Sequence, residues 1–342
     1  MFEGRQPSKI YAAIDLGTNN CRLLIAAYVG GQLVEIDRFS RIVRLGEGIT
    51  SHNVLSREAM SRALDALRVC YRKLSMYQLD GFRFVTTQAC RLADNADDFI
   101  ERAQREAYIN LEIISTEEEA KLAFMGCASL IRRPKKDVLL IDIGGGSTEC
   151  VWGRFNEDNA FSIIGWFSLP CGVMTLSELF NEDQDTDCHY EQMLSHVLSI
   201  LADNDQTPWG SHAFADVDMQ VICASGTITT LTAVYRNLER YNRSEIDGLH
   251  LTTTQINDAI NMIKLMNRQE RTDHPCISSD RADLMLPGCA ILQAIYQHWD
   301  IPLMTVADRG VREGIIYSLV NQDIAHEQAA RKKQTARSEA VD

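Results

Sequence analysis

The chain has 342 residues, of which 45% are hydrophobic, and its formal net charge is −13. This length and apolar content predict two domains rather than one. The negative charge argues against binding to duplex nucleic acid, because phosphate contacts there require clustered lysine and arginine. A small phosphate-bearing substrate stays open, since a local site can be positive within an acidic protein.

The ten cysteines are scattered along the sequence, and none forms a C-x-x-C pair. We therefore expect buried thiols in a reducing compartment. No apolar run approaches the roughly 18 residues that suggest a membrane span. The N-terminus also lacks the apolar segment of a signal peptide. These features predict a cytoplasmic protein with no membrane partner.

The first third of the sequence predicts a β-meander followed by alternating helices and strands. Residues 10–16 form an apolar run that ends near Asp15, and the turn Gly17–Asn20 follows it. Further strands are predicted on either side of a Gly-Gly turn. The remaining predictions are strands over 21–29, 33–45, 82–87 and 111–115, and helices from Ser56, over 95–107 and from Glu117.

The same order then begins again. Residues 138–153 repeat the pattern of apolar strand, aspartate, glycine turn and second strand, and a third strand is predicted over 161–169. The helices predicted after it span 172–180, 189–203, 254–267, 287–298 and 310–321, with strands at the start of 219–231 and over 303–306. The last residues are polar, and we expect them to be frayed.

This repetition predicts an α/β protein with two duplicated domains. The first domain is expected to span residues 1–128, joined by a C-terminal helix over 308–325. The second domain, with helical insertions, is expected over 129–307. Residues 326–342 are predicted to form a flexible tail.

The glycine turns predict a phosphate site. Successive glycines at a strand end expose backbone N–H groups with no Cβ in the way, and such groups form an anion-binding concavity. Asp142 and Glu149 bracket Gly144–Gly146, and Mg²⁺ takes oxygen ligands from one or two carboxylates and from substrate phosphates. A dinucleotide-binding fingerprint would need glycine at position 149, where this chain has Glu149. A Walker A loop would need Gly-Lys-Ser/Thr, which the turn lacks. Both of these phosphate-binding motifs are therefore excluded. An ordinary tight hairpin is disfavoured because the same combination of strand, aspartate and glycine turn occurs twice, once in each half of the chain.

The motifs "IDLGTNN" and "IDIGGGSTE" resemble the two phosphate-binding hairpins of the acetate kinase, sugar kinase, Hsp70 and actin superfamily. With "VTTQACR", "STEEEAKLAFMG", "ASGT" and "ADRGVREGIIY", they resemble the exopolyphosphatase/guanosine pentaphosphate phosphohydrolase (Ppx/GppA) family over about residues 9–322. The resemblance implies a duplicated actin-like (ribonuclease H-like) fold with an interdomain cleft. It also implies Mg²⁺-dependent release of terminal phosphate from inorganic polyphosphate. Guanosine pentaphosphate hydrolysis is the alternative, and a weakly catalytic nucleotide-binding regulator or a kinase is a rival from another class.

Carried over residue by residue, the resemblance implies a catalytic base at Glu119 and a second essential carboxylate at Glu149. It implies that Mg²⁺ is held by Asp142, Glu149 and Asp15. The residues implied to bind phosphate are Gly17, Thr18, Asn19, Arg91, Gly144, Gly145, Gly146 and Ser147.

Simpler structural interpretations stay open for several of these residues. Thr116 and Glu119 have the spacing of a helix capping box. Arg91 could form a surface salt bridge, and helix capping could be the sole role of Ser225. Asp142 could accept hydrogen bonds within its own turn.

The expected partners are polyphosphate or guanosine pentaphosphate, without nucleic acid, and a homodimer is left open. The longest family members carry additional helical domains after the matching region. For this chain we expect weakly processive or distributive cleavage of long polyphosphate.

Overall fold

The structure is a computed structural model that describes residues 9–132, 137–156, 161–180, 187–207 and 219–339. Within these ranges the chain forms two mixed β-sheets of five and six strands, each covered by helices. The α/β class predicted from the sequence is therefore confirmed. No helix in the described part of the chain is long and apolar enough to cross a membrane. Nine cysteines are free and buried, namely Cys21, Cys70, Cys90, Cys127, Cys150, Cys171, Cys223, Cys276 and Cys289.

The first sheet has the strand order β3-β2-β1-β4-β5. Strands β1, β2 and β3 form an antiparallel meander, whereas β4 pairs with β1 in parallel and β5 pairs with β4 in parallel. Strand β1 is buried along most of its length because it lies in the middle of the sheet. The strands are β1 (Ile10–Leu16), β2 (Asn20–Val29), β3 (Gln32–Ile42), β4 (Gly81–Thr86) and β5 (Glu112–Ile113).

Two helices of the first half, α2 and α5, begin at capping serine side chains. Ser56 accepts a hydrogen bond from Ala59 N–H at the start of α2, which satisfies one of the free amides of the first turn. Two short helices, α1 and α3, were not predicted, because each is about one turn long and shows no periodicity. The helices are α1 (Ile49–His52), α2 (Arg57–Leu74), α3 (Gln88–Leu92), α4 (Ala96–Ala107) and α5 (Thr116–Cys127).

The second sheet has the order β10-β11-β9-β6-β7-β8. Its β8-β7-β6-β9-β11 part repeats the order of the first sheet, and β10 adds an antiparallel strand at one edge. The strands are β6 (Asp137–Ile143), β7 (Thr148–Phe155), β8 (Phe161–Leu169), β9 (Met219–Ala224), β10 (His250–Thr252) and β11 (Leu303–Ala307).

The helices of the second half mostly match their predicted positions. They are α6 (Val173–Leu179), α7 (Asp187–Asn204), α8 (Gly226–Tyr235), α9 (Thr253–Leu265), α10 (Arg268–Asp273), α11 (Met285–His298) and α12 (Val311–Glu339). The last helix was predicted to end at residue 321, but it continues to Glu339. Alanine, glutamate, lysine, arginine and glutamine dominate this segment, and they are strong helix formers without an apolar stripe.

The two sheets are copies of one unit, as the sequence repetition predicted, and this unit has the ribonuclease H-like strand order that the family resemblance implied. The equivalence extends to the hairpin turns. Gly17 N–H donates to the carbonyl of Asn20 at 2.9 Å, and Gly144 N–H donates to the carbonyl of Ser147 at 2.9 Å. The two hairpins therefore close with the same backbone hydrogen bond.

The two sheets enclose a shared apolar core that contains α5 and α12. These helices cross with their backbones in contact. A Cβ on Gly314 would lie 1.9 Å from the carbonyl oxygen of Leu122, and a Cβ on Gly126 would lie 1.9 Å from that of Gly310. The crossing therefore requires glycine on both helices. Since α5 and α12 each begin at the cleft, this contact sets the relative position of residues on its two sides.

We expect Gly314→Ala to destabilise the protein by about 1–3 kcal/mol, the usual cost of an added methyl group in a packed core. Thermal unfolding should show Tm lowered by several degrees. Ser318→Ala, one turn further along α12 and half-buried, is the matched control and should leave Tm nearly unchanged. Equal Tm values for the two variants would contradict the close helix crossing.

Candidate active site

A cleft of about 700 Å³ lies between the two sheets, at the ends of β1 and β6. Both glycine hairpins, the start of α5 and the start of α8 contribute to its walls. The predicted site residues that line it are Asp15, Gly17, Thr18, Asn19, Glu119, Asp142, Gly144, Gly145, Gly146, Ser147 and Glu149. The fold thus brings together residues that are more than 100 positions apart in the sequence.

The two hairpins touch each other across the cleft. A Cβ on Gly145 would lie 2.9 Å from both the backbone nitrogen and the Cβ of Asn19, and 3.2 Å from the Cβ of Thr18. A Cβ on Gly146 would collide with the side chain of Gln88. From the sequence, these glycines were expected only to let a phosphate approach the backbone closely. Their missing side chains also allow the two halves of the protein to meet.

Glu149 lies almost completely buried on β7, with 2% of its surface exposed. Two serine hydroxyls donate to the same carboxylate oxygen, Oε1: Ser147 at 2.6 Å and Ser168 at 3.0 Å. This shared anchoring fixes the orientation of the carboxylate. Ser168, on β8, is a residue that the sequence reasoning missed, because its contact with Glu149 depends on the cross-strand register.

Glu119 lies in the first turn of α5, and only 13% of its side chain is exposed. The capping-box interpretation of this residue was wrong. Ser115 is the N-cap, and its hydroxyl accepts from Glu118 N–H at 3.2 Å, while Thr116 is already the first helical residue. The Glu119 carboxylate is therefore not engaged in capping, and it faces the cleft.

Arg91 lies behind Glu119 rather than on the cleft wall. Its Nη1 forms a 2.8 Å ion pair with Oε2 of Glu119 and donates to the carbonyl oxygen of Ile114 at 2.9 Å. The surface salt-bridge interpretation is wrong, since the pair is mostly buried. The predicted contact of Arg91 with phosphate stays a prediction, and the contact that the structure contains is with the candidate base.

The buried carboxylates raise one another's pKa values. Desolvation by burial is the largest cause in each case, and it raises the pKa of Glu119 to about 8 and those of Asp142 and Glu149 to about 7. The neighbouring negative charges add to the effect, and burial also raises the pKa of Asp15. Arg91 opposes the shift at Glu119 but does not cancel it. A carboxylate with a pKa near neutral is suited to accept a proton in catalysis.

The oxygen atoms around Asp142 fit a hard divalent cation such as Mg²⁺. Asp15, Asp142 and Glu149 supply carboxylates, and Oδ1 of Asn19 is buried without a hydrogen-bond partner among the described residues. The described ranges contain no group of three or more histidine, cysteine, aspartate or glutamate side chains placed to hold a metal ion. A cation bound here would have to take further oxygen ligands from substrate phosphates, as Mg²⁺ usually does.

Two arginines of the cleft were not predicted from the sequence. Arg22 has no ion pair or hydrogen bond within the described ranges. It lies near Asp15 and Asp142, and its positive charge opposes the rise in their pKa values that burial causes. Arg281 donates to the carbonyl of Gly226 at 3.1 Å and to Thr230 at 3.2 Å, but to no carboxylate among the described residues. Two arginines without a carboxylate partner are available for an anionic ligand.

Ser225 caps α8, because its hydroxyl accepts from Ile228 N–H at 3.0 Å. Gly226 and Thr227 nevertheless line the cleft beside Arg281. The helix-cap interpretation of this motif is thus confirmed, and the motif also forms part of the cleft wall.

Two ribonuclease H-like units with glycine hairpins facing one another across a cleft define an actin-like protein. The sequence matches the model of the Ppx/GppA phosphatase family over residues 24–323. The chain belongs to that family, as its motifs indicated.

The similar proteins include two curated Aeromonas sequences and one solved structure. The proteins named guanosine-5'-triphosphate,3'-diphosphate pyrophosphatase from Aeromonas salmonicida and Aeromonas hydrophila are 31% and 30% identical, over 92% of this chain. The chain spans 60% of the length of these relatives. The structure of the Aquifex aeolicus Ppx/GppA family member is 27% identical, with a TM-score of 0.75, and the match covers 93% of this chain and 99% of that one.

The raised pKa of Glu119 predicts how stability changes with pH. Its pKa rises from an ordinary 4.5 to about 8 on folding, so the folded state binds more protons than the unfolded state between these values. The free energy of unfolding must then fall as pH rises through this window. We expect the Tm of the protein in a chelator to fall by several degrees from pH 5 to pH 8.

Glu119→Gln should flatten this dependence, because glutamine does not titrate. Glu117→Gln, an exposed residue of the same helical turn, is the control and should retain the wild-type slope. A slope that is identical in all three proteins would contradict the raised pKa of Glu119.

Proposed function

We propose that the protein hydrolyses the terminal phosphoanhydride bond of guanosine pentaphosphate. The products are orthophosphate and guanosine tetraphosphate. The observation that carries the reaction type is the buried carboxylate of Glu119, which faces two phosphate-type hairpins and has a pKa near neutral. A purely regulatory nucleotide-binding protein has no need of such a base.

In the proposed reaction, Glu119 accepts a proton from a water molecule as the water oxygen attacks the terminal phosphorus. The bond between that phosphorus and the bridging oxygen breaks, and its electron pair passes to the oxygen of the adjacent phosphate. Arg91 keeps the Glu119 carboxylate in place through the 2.8 Å ion pair. Removal of water's proton by a positioned carboxylate contributes roughly 10²–10⁴-fold to such reactions.

The hairpins bind and orient the phosphates in this proposal. The amides of Gly145 and Gly146 donate to phosphate oxygens, as backbone N–H groups do in other anion-binding turns. Asp142, Glu149 and Asp15 would hold Mg²⁺ together with phosphate oxygens. A bound Mg²⁺ would neutralise charge on the phosphates and on the crowded carboxylates.

The choice of guanosine pentaphosphate over polyphosphate is supported by the cleft and by the curated relatives. The substrate carries two separate phosphate groups, on the 5' and 3' positions of one ribose. Arg22 and Arg281 have no carboxylate ion pair within the described ranges. Arg22 belongs to the first hairpin, opposite Asp15, whereas Arg281 lies beside Gly226 at the start of α8. Arg281 therefore suits the second phosphate group, and Arg22 suits a phosphate held at the first hairpin. Both Aeromonas relatives are named as pyrophosphatases of this nucleotide.

We expect phosphate-release assays to give a kcat/KM for guanosine pentaphosphate at least tenfold above that for polyphosphate at equal ionic strength. Arg22→Gln should raise KM for the nucleotide about tenfold with little change in kcat, because a charge-assisted hydrogen bond contributes about 1.5–3 kcal/mol. Arg57→Gln, an exposed arginine on α2, is the control. A preference for polyphosphate in the wild-type protein would overturn the proposed substrate but not the reaction type.

We expect Glu119→Gln to lower kcat by about 10²-fold or more, since glutamine keeps the size of the side chain but accepts no proton. Nucleotide binding, measured by calorimetry, should change little. Glu117→Gln is again the control, with kcat near the wild-type value. Wild-type kcat in Glu119→Gln would rule out Glu119 as the base. Tight nucleotide binding without phosphate release by the wild-type protein would favour a regulator.

A further inference from the structure

The first turn of α6 holds the carbonyl groups of the second glycine hairpin. Val173 N–H donates to the carbonyl oxygen of Gly144 at 3.0 Å, and Met174 N–H donates to that of Gly145 at 2.7 Å. These amides belong to the start of a helix, where N–H groups have no partner within the helix itself. The glycine carbonyls therefore accept the hydrogen bonds that the first amides of α6 can donate, and α6 in turn fixes the glycine backbone.

The carbonyl contacts determine where the glycine amides point. In a trans peptide unit, the C=O of one residue and the N–H of the next point in opposite directions. With the carbonyls of Gly144 and Gly145 directed at α6, the N–H groups of Gly145 and Gly146 point away from it, on the side that lines the cleft. Neither amide has an acceptor within the part of the chain that the structure describes.

Thr175 and Gly172 hold α6 against the hairpin. The Thr175 hydroxyl accepts from Gly172 N–H at 2.8 Å, and it has the carbonyl oxygens of Gly172 at 3.0 Å and Gly146 at 3.4 Å as acceptors. A Cβ on Gly172 would lie 2.5 Å from the backbone of Gly145 and Gly146. Only glycine allows the helix start to approach this closely.

The first half of the protein contains the same arrangement. The segment that follows β3 donates to the first hairpin: Val43 N–H to the carbonyl of Asn19 at 2.8 Å, and Gly46 N–H to that of Thr18 at 3.0 Å. In the second half, α6 follows β8, the equivalent strand. Both copies of the fold therefore anchor the hairpin carbonyls from the segment after the third strand.

We infer that Val173, Met174 and Thr175 are positioning residues, which aim the amides of Gly145 and Gly146 at phosphate by holding the hairpin carbonyls. The inference rests on the proposed function only in taking the second hairpin as a phosphate site. Its test therefore measures the binding of inorganic phosphate directly, beside the hydrolysis of guanosine pentaphosphate.

Val173→Pro removes a single N–H donor at a position that suits proline. Val173 is the first residue of α6, where proline is favoured, and Gly172 before it is extended, with φ −128° and ψ 175°. We expect the fold to survive, with phosphate affinity and kcat/KM each lowered about tenfold or more, since small misplacements at a reacting centre are costly. Arg57→Pro, at the exposed first position of α2 after extended Ser56, is the matched control and should bind phosphate normally.

Thr175→Val tests the same device by a side-chain change, and it keeps the inference testable if the proline variant does not fold. We expect phosphate affinity to fall about fivefold to tenfold, and Thr175→Ser to restore it, because serine keeps the hydroxyl. Thr232→Val removes a fully buried hydroxyl on α8, which donates to the carbonyl oxygen of Ile228 at 2.7 Å, and should lower Tm without lowering phosphate affinity.

Loss of phosphate binding in Val173→Pro and Thr175→Val, but not in Arg57→Pro, Thr175→Ser and Thr232→Val, would support the inference. Wild-type phosphate affinity in folded Val173→Pro or Thr175→Val would overturn it, as would failure of the wild-type protein to bind phosphate. Intact phosphate binding without hydrolysis of guanosine pentaphosphate would overturn the proposed function alone.

Discussion

Close contact between backbones, at positions where no side chain fits, is the constraint on which the rest of the structure depends. It occurs where α5 crosses α12 at Gly126 and Gly314, and where Gly145 meets the first hairpin. Cores are packed densely enough that even one methyl group must displace its neighbours. The glycines therefore set how near the two duplicated halves lie, and this distance places α5, which carries Glu119, beside the carboxylates of the other half.

The same closeness creates the electrostatics of the cleft. Carboxylates from both halves lose water to the surrounding protein, and each then raises the pKa of its neighbours. The serine hydroxyls on Glu149 and the ion pair of Arg91 with Glu119 offset part of this cost. The remaining charge makes the cleft a favourable place for a cation and its phosphate ligand. The separation of the two halves therefore determines both how the core packs and how strongly the cleft carboxylates interact.

The fold could be predicted from the sequence because its signals are local and repeated: an apolar strand, an aspartate, a glycine turn and a second strand, twice. All the predicted site residues except Arg91 line the cleft, since most of them belong to those motifs. The position of Arg91 was not predicted, because its ion pair with Glu119 depends on how α5 lies relative to α3, which carries Arg91. Ser168 and Arg281 were missed for a similar reason, since their contacts cross strands or helices that are distant in sequence. The extent of α12 was missed because its polar residues show no apolar periodicity.

The duplication also shows how one hairpin design produces two different environments. In the first hairpin, the cross-strand partner of Asp15 is Arg22, whereas in the second the partner of Asp142 is Glu149. The first copy thus supplies its own cation beside the aspartate. The second pairs two acids, whose mutual repulsion can be relieved only by protonation or by an external cation. A single difference at equivalent positions therefore gives one hairpin its own positive charge and the other a pair of acids, and both face the same cleft.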